Sequence, residues 1–149
     1  MLKQLLSFSL LALAALSLPA QGIDFFEESF EEAKAEAASQ DKLIFVDAYA
    51  VWCGPCKRMA AKVFPDEKVG AFFNRHFISL KIDMEAAENE AFRRDYPVAA
   101  YPTLFFLNAD GTIVQQVKGA LDAEKLIRAA QQALAAAEPA EDYATAYEE

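Results

Sequence analysis

A chain of 149 residues with 14 Lys and Arg against 23 Asp and Glu carries a formal net charge of −9. That length accommodates one domain with a core of useful size. The acidity argues against a nucleic-acid or anionic-membrane partner, because either surface would repel the protein.

The first twenty residues carry Lys3, then a nearly unbroken apolar run from Leu5 to Leu18, and close with Pro19-Ala20 before the polar Gln21. A charged start, an apolar stretch and a small terminal residue form the pattern of a secretory signal peptide, here cut after Ala20. The run is shorter than the roughly 20 residues a transmembrane helix needs; a retained membrane anchor is the alternative. The expected organisation is a signal peptide over 1–20, one domain over 21–138 and an acidic flexible tail over 139–149. The expected location is the periplasm or the exterior of the cell. Loss of residues 1–20 removes one base and no acid, which moves the net charge from −9 to −10.

Along the mature chain, Ile23 to Phe26 suits a short edge strand. Ser29 and Glu32 have the spacing of a capping box, so a helix follows to about Ser39. Leu43 to Tyr49 is an apolar run of strand length interrupted by Asp47, and reads as a strand buried on both faces. Cys53-Gly54-Pro55-Cys56 follows, and helical character continues from Lys57 to Phe64. Pro65-Asp66 is a break and restart, with a helix from Asp66 to Asn74 and a strand from Phe77 to Asp83. Glu85 to Tyr96 is polar, helical in its second half, and stopped by Pro97. Thr103–Leu107 and Thr112–Val117 are strands joined by the hairpin signal Asn108-Ala109-Asp110-Gly111. Asp122 caps a last helix reaching about Ala137, with Leu121, Leu126, Ile127 and Leu134 on its apolar face. The order β-α-β-α-β-α-β-β-α implies an α/β fold, a central mixed β-sheet flanked by helices on both faces. Phe45, Phe72, Phe73, Phe77, Phe105 and Phe106 are core candidates.

The two cysteines of the chain lie in one C-x-x-C. A bridge across two residues closes almost no loop, so it adds little stability. Two thiols cannot complete a four-cysteine zinc site, and His76 is the single histidine. Redox chemistry is the reading left, with no metal and no cofactor beyond the cysteine pair itself. A thiolate is the attacking species, and a cysteine at the start of a helix meets unpaired N–H groups and the positive end of the macrodipole. Cys53 is therefore the exposed attacker. Cys56, one turn further in, is the buried resolver that cleaves the mixed disulfide. Pro55 supplies a fixed φ at the helix start, and Gly54 lets a substrate chain come close. An Asp inside an apolar strand is costly unless paired or protonated. Asp47 is accordingly expected to have a raised pKa and to relay a proton from Cys56, unless it sits at a surface-facing edge.

Trp52-Cys53-Gly54-Pro55-Cys56-Lys57 resembles the active site of the thioredoxin family. Tyr101-Pro102-Thr103 is similar to that family's cis-proline loop, Gly119-Ala120-Leu121 to its third substrate-facing segment, and Asp47, six residues before Cys53, to its buried acid. The resemblance spans Leu43 to Ala137. It implies the thioredoxin fold, a cis bond before Pro102, and an extended substrate segment paired beside Pro102 by strand addition. It also implies that Trp52, Gly54, Pro55, Tyr101, Pro102, Gly119 and Ala120 meet substrate. The sequence departs from the family at Tyr49, where a second Trp is usual, at Ala61 in place of a helix proline, and at Tyr101 before the proline. Ser79 stands where a lysine near the buried acid is expected, with Lys81 two residues on. The stretch from Val63-Phe64 to Asp83-Met84 looks more like exported envelope proteins of the family.

The expected activity is thiol–disulfide exchange that reduces or isomerises disulfides of exported proteins, by a monomer fed electrons by a membrane thiol transporter. A dithiol oxidase and a peptide-binding or chaperone-like module without turnover are the alternatives.

Overall fold

Ser29 begins the first helix as its sequence suggests. Its hydroxyl accepts the Glu32 N–H while the Glu32 carboxylate accepts the Ser29 N–H, which satisfies donors that a helix start leaves open. The structure is a computed structural model that describes residues 21–137; the expected signal peptide and acidic tail lie outside the described residues. The elements are α1 (Phe30–Gln40), β1 (Leu43–Tyr49), α2 (Gly54–Lys62), α3 (Glu67–His76), β2 (Phe77–Asp83), a 3-10 turn (Ala87–Asn89), α4 (Glu90–Asp95), β3 (Thr103–Leu107), β4 (Ile113–Lys118) and α5 (Ala123–Ala137).

The strands form one sheet in the order β2-β1-β3-β4, with β1 and β2 parallel and the other neighbours antiparallel. Side chains alternate across it and build two cores. Phe45, Phe77, Leu104 and Phe106 meet α2, α3 and α5 on one face. Ile44, Val46, Leu80 and Phe105 meet α1 and α4 on the other. This alternation puts Asp47 on the Phe45 side, beneath the helices that follow the cysteines. The five residues Ile44 to Ala48 are fully buried, which explains why β1 reads as a continuous apolar run.

One expectation needs correction. The strand over Ile23–Phe26 is a single bridge, Phe25 to Ser79. Helix packing and side-chain clamps, rather than a ladder, hold that segment. The Ile23 N–H donates to the Phe64 carbonyl at 2.8 Å. Asn74 accepts the Asp24 N–H at 2.8 Å and donates to the Gly22 carbonyl at 3.2 Å. The region 85–96 is helical in its second half as expected, with α4 preceded by the 3-10 turn, and only Phe92 of α4 is buried. The expected apolar face of α5 packs on the core: Leu126 is fully covered with Ala130 and Ala133, Ala129 nearly so, and Ile127, Leu134 and the preceding Leu121 lie partly buried against them. Small side chains let that helix approach the sheet. Of the Phe core candidates, Phe72 alone is only partly buried. His76 ends α3 against the Phe72 ring, with its pKa lowered by burial and then by Arg75 and Lys42.

Gly70 of α3 lies flat against the incoming segment. A Cβ there would run into the Gln21 carbonyl oxygen and the Gly22 backbone. Gly70→Ala is therefore expected to cost about 1–3 kcal/mol by overpacking. Urea unfolding should show a lower midpoint with an unchanged slope.

Candidate active site

β1 ends at Tyr49, and the chain turns through Ala50-Val51-Trp52 into α2. The Cys53 N–H donates to the Ala50 carbonyl at 3.1 Å, which closes the turn. Cys53 is the N-cap of α2, and Pro55 falls in the first turn, where a missing N–H leaves no bond unmade. The cysteines form a disulfide, and Cys53 Sγ accepts the Cys56 N–H at 3.2 Å. The sulfur thus occupies the place of a capping oxygen, where an anion would meet the N–H and the helix end together.

Cys53 is not exposed in this oxidised form: both cysteines keep 3% of their accessible surface. Ala50, Tyr49 and Tyr101 pack around the pair. Cys53 lines a cleft of about 400 Å³ together with Trp52, Gly54, Pro55, Val98, Ala99, Ala100 and Tyr101. Its lining is mostly apolar, and Val51 and Trp52 stand out beside it at 61% and 63% exposure. Trp52 is held in place despite that exposure. Its indole N–H donates to Glu85 Oε1 at 2.6 Å, and its ring meets Tyr101 edge-on at 5.7 Å.

The Tyr101–Pro102 bond is cis. Pro102 is buried, and its carbonyl accepts the Gly119 N–H at 2.8 Å. Gly119 has φ +90, a conformation that favours glycine. Pro102, Gly119 and the exposed Ala120 form a second group beside the cleft but do not line it.

Asp47 is fully buried, so the surface-edge alternative is excluded. Its Oδ2 accepts a hydrogen bond from Lys81 Nζ at 2.8 Å, and its Oδ1 has no partner. Burial pushes the Asp47 carboxyl above its ordinary pKa, against the attraction of Lys81. The lysine is Lys81 because β1 and β2 pair in register with Asp47 opposite Lys81 and Phe45 opposite Ser79. Positions 79 and 81 share a face of the strand, so the charge moves along it without leaving the acid's side. Ser79 is left buried with an unpartnered hydroxyl.

Val98-Ala99-Ala100 and Glu85 were not expected at the site. The first is an unremarkable small-residue stretch, and Glu85 reaches Trp52 from 33 residues away, which no local pattern discloses. Among the described residues no three His, Cys, Asp or Glu side chains are grouped to hold a metal, and no helix is long and apolar enough to cross a membrane.

Residues 30–134 match the thioredoxin-like domain family. The chain is 30% identical to a protein disulfide-isomerase of Datisca glomerata over 69% of its own length and 24% of that protein's. It is 33% identical to the thiol:disulfide interchange protein DsbD of Pseudoalteromonas atlantica over 56% of its own length and 14% of that protein's. It thus spans about a quarter or less of these two relatives. Among solved structures, a protein of Bacteroides thetaiotaomicron described as a candidate disulphide-isomerase superposes with a TM-score of 0.68 at 45% identity. That alignment covers 81% of this chain and 98% of the other. With a Cys53–Cys56 disulfide at the start of α2 and a match across most of its length, this chain belongs to the thioredoxin-like domain family.

Proposed function

We propose that the protein is a thiol–disulfide oxidoreductase that reduces disulfides of other proteins. The observation that carries this reading is the Cys53–Cys56 disulfide, whose Cys53 caps α2 and lines an apolar cleft. In the reduced protein the Cys53 thiolate attacks one sulfur of a substrate disulfide. A Cys53–substrate mixed disulfide forms, and the other substrate sulfur leaves as a thiolate. Cys56 gives its proton to the Asp47 carboxylate and attacks Cys53 Sγ. The second substrate thiol is released and the Cys53–Cys56 disulfide forms. Two electrons pass to the substrate, and an external dithiol returns them.

Val51, Trp52 and the cleft offer an exposed apolar surface suited to a protein segment. We take the backbone beside Pro102 to pair with that segment, with Tyr101, Gly119 and Ala120 as its neighbours. The substrates are disulfides of exported proteins, a reading that rests on the pattern of residues 1–20. Electrons then come from a membrane thiol transporter, and the similarity to DsbD supports a place in such a relay. Isomerisation is the second reading, favoured by the description of the Bacteroides protein.

Insulin reduction with dithiothreitol as electron source tests the proposal. Catalytic amounts of the protein are expected to shorten the lag before insulin precipitates. No acceleration by protein whose cysteines titrate as free thiols would instead favour a binding module without turnover.

A further inference from the structure

The Lys81 ammonium lies over three rings: Tyr49 at 4.5 Å, Phe64 at 5.1 Å and Phe25 at 5.5 Å. Tyr49 belongs to β1 and Phe64 to the turn after α2, but Phe25 comes from the segment before α1. Its ring meets Phe64 edge-on at 5.3 Å. The backbone that carries it is pinned at both ends, by Phe64 and Asn74 on one side and by the Phe26 N–H to the Ser79 carbonyl at 2.8 Å on the other.

Lys81 keeps 29% of its side-chain exposure while Asp47 keeps 1%. The lysine therefore has a way out to water and the acid has none. Ring faces attract an ammonium and exclude water from one side of it, which strengthens its pull on the carboxylate. We propose that Phe25 is a positioning residue of the dithiol site: its ring holds Lys81 against Asp47, which makes the segment Gln21–Phe26 a working part of that site. The inference rests on the reductant reading and deepens it.

Glu27, Glu28, Glu31, Lys34, Glu88 and Asp95 line a cleft of about 720 Å³ with Lys81, and a change at Phe25 alters none of these charges. Asp24 of the same segment shares a cleft of about 420 Å³ with Lys81, where α2 and the following turn contribute Ala60, Phe64 and Pro65, none of which titrates. On the sheet, Tyr49 is the titratable neighbour, itself raised by burial and then by Asp83 and Asp47. In the oxidised protein the cysteines do not titrate. Loss of the Phe25 ring lets Lys81 swing toward water. Asp47 stays covered by the sheet and helices, and it loses part of the attraction that opposes its burial.

The test is a carboxyl-carbon NMR titration of Asp47 in the oxidised full chain. Phe25→Leu is expected to raise the Asp47 midpoint by about half a pH unit. Asn74→Ala, which unclamps the segment, should move it the same way. Phe25→Tyr should leave it at the wild-type value, and the pH profile of insulin reduction should follow the midpoint in each variant. A Leu variant that titrates like wild type overturns the inference, as does a Tyr variant displaced as far as the Leu variant. A shifted midpoint in a protein that reduces no disulfide would overturn the reductant reading alone; turnover with an unmoved midpoint would overturn this inference alone.

Discussion

Cys53→Ser is expected to bring insulin reduction down to the uncatalysed background, a loss on the order of 10⁴-fold or more. A serine hydroxyl is a poor nucleophile toward sulfur, and no other cysteine occupies the cleft entrance. Cys56→Ser should lose turnover as fully but for a different reason. Cys53 still attacks, and the mixed disulfide then has no thiol to resolve it. Protein substrates should therefore accumulate on Cys56→Ser as adducts that reductant releases, and none should accumulate on Cys53→Ser. Unfolding does not explain either loss. A bridge closing so short a loop contributes at most about 2 kcal/mol by chain entropy. Circular dichroism should show both variants folded at 25 °C. Equal trapping by both variants would contradict the assignment of attacker and resolver.

Asp47→Asn is expected to separate stability from activity. Folding holds the Asp47 pKa above the ordinary 3.8, with burial as the main cause and Lys81 opposing it. Between the unfolded value and the raised folded value, the native state binds more protons than the unfolded state. Wild-type stability therefore falls as pH rises through that window and stays lower above it. Asparagine removes the buried charge and leaves Lys81 free to turn to water from its half-open position. The variant should match wild type near pH 4 and exceed it by about 1–4 kcal/mol at pH 8. Urea midpoints measured across that range check the sign. Activity should move the other way. Without a carboxylate to take the Cys56 proton, insulin reduction at neutral pH should fall on the order of 10²-fold. A variant no more stable at pH 8 than wild type would contradict a buried acid whose burial Lys81 only partly offsets.

Much of the architecture is legible in the chain because local and tertiary signals agree. The Ser29–Glu32 box, the Pro65-Asp66 restart and the Asn108–Gly111 hairpin each form where their residues place them. The apolar run of β1 survives into a strand with both faces covered. What local patterns could not disclose are effects of register and distance. Lys81 rather than Ser79 meets Asp47 because parallel pairing offsets the strands in a way only the folded sheet specifies. Phe25 lacks the ladder of a strand, and its role depends on Asn74, fifty residues from the Asp24 it holds. The burial of Cys53 follows from the turn around Ala50 and from Tyr101, which lies in another loop. Glu85 and Trp52 likewise meet only in three dimensions.

The reduction potential of the Cys53–Cys56 couple tests the proposed direction of electron flow most directly. Cys53 Sγ accepts one backbone N–H at the helix start. A strongly oxidising disulfide needs a thiolate stabilised far beyond that. Equilibration with thiol–disulfide buffers, quenched by alkylation and read by mass, is predicted to give a value near that of reducing dithiols, about −270 mV. A value at or above about −180 mV, in the range of isomerases and oxidants, would contradict the reductant account.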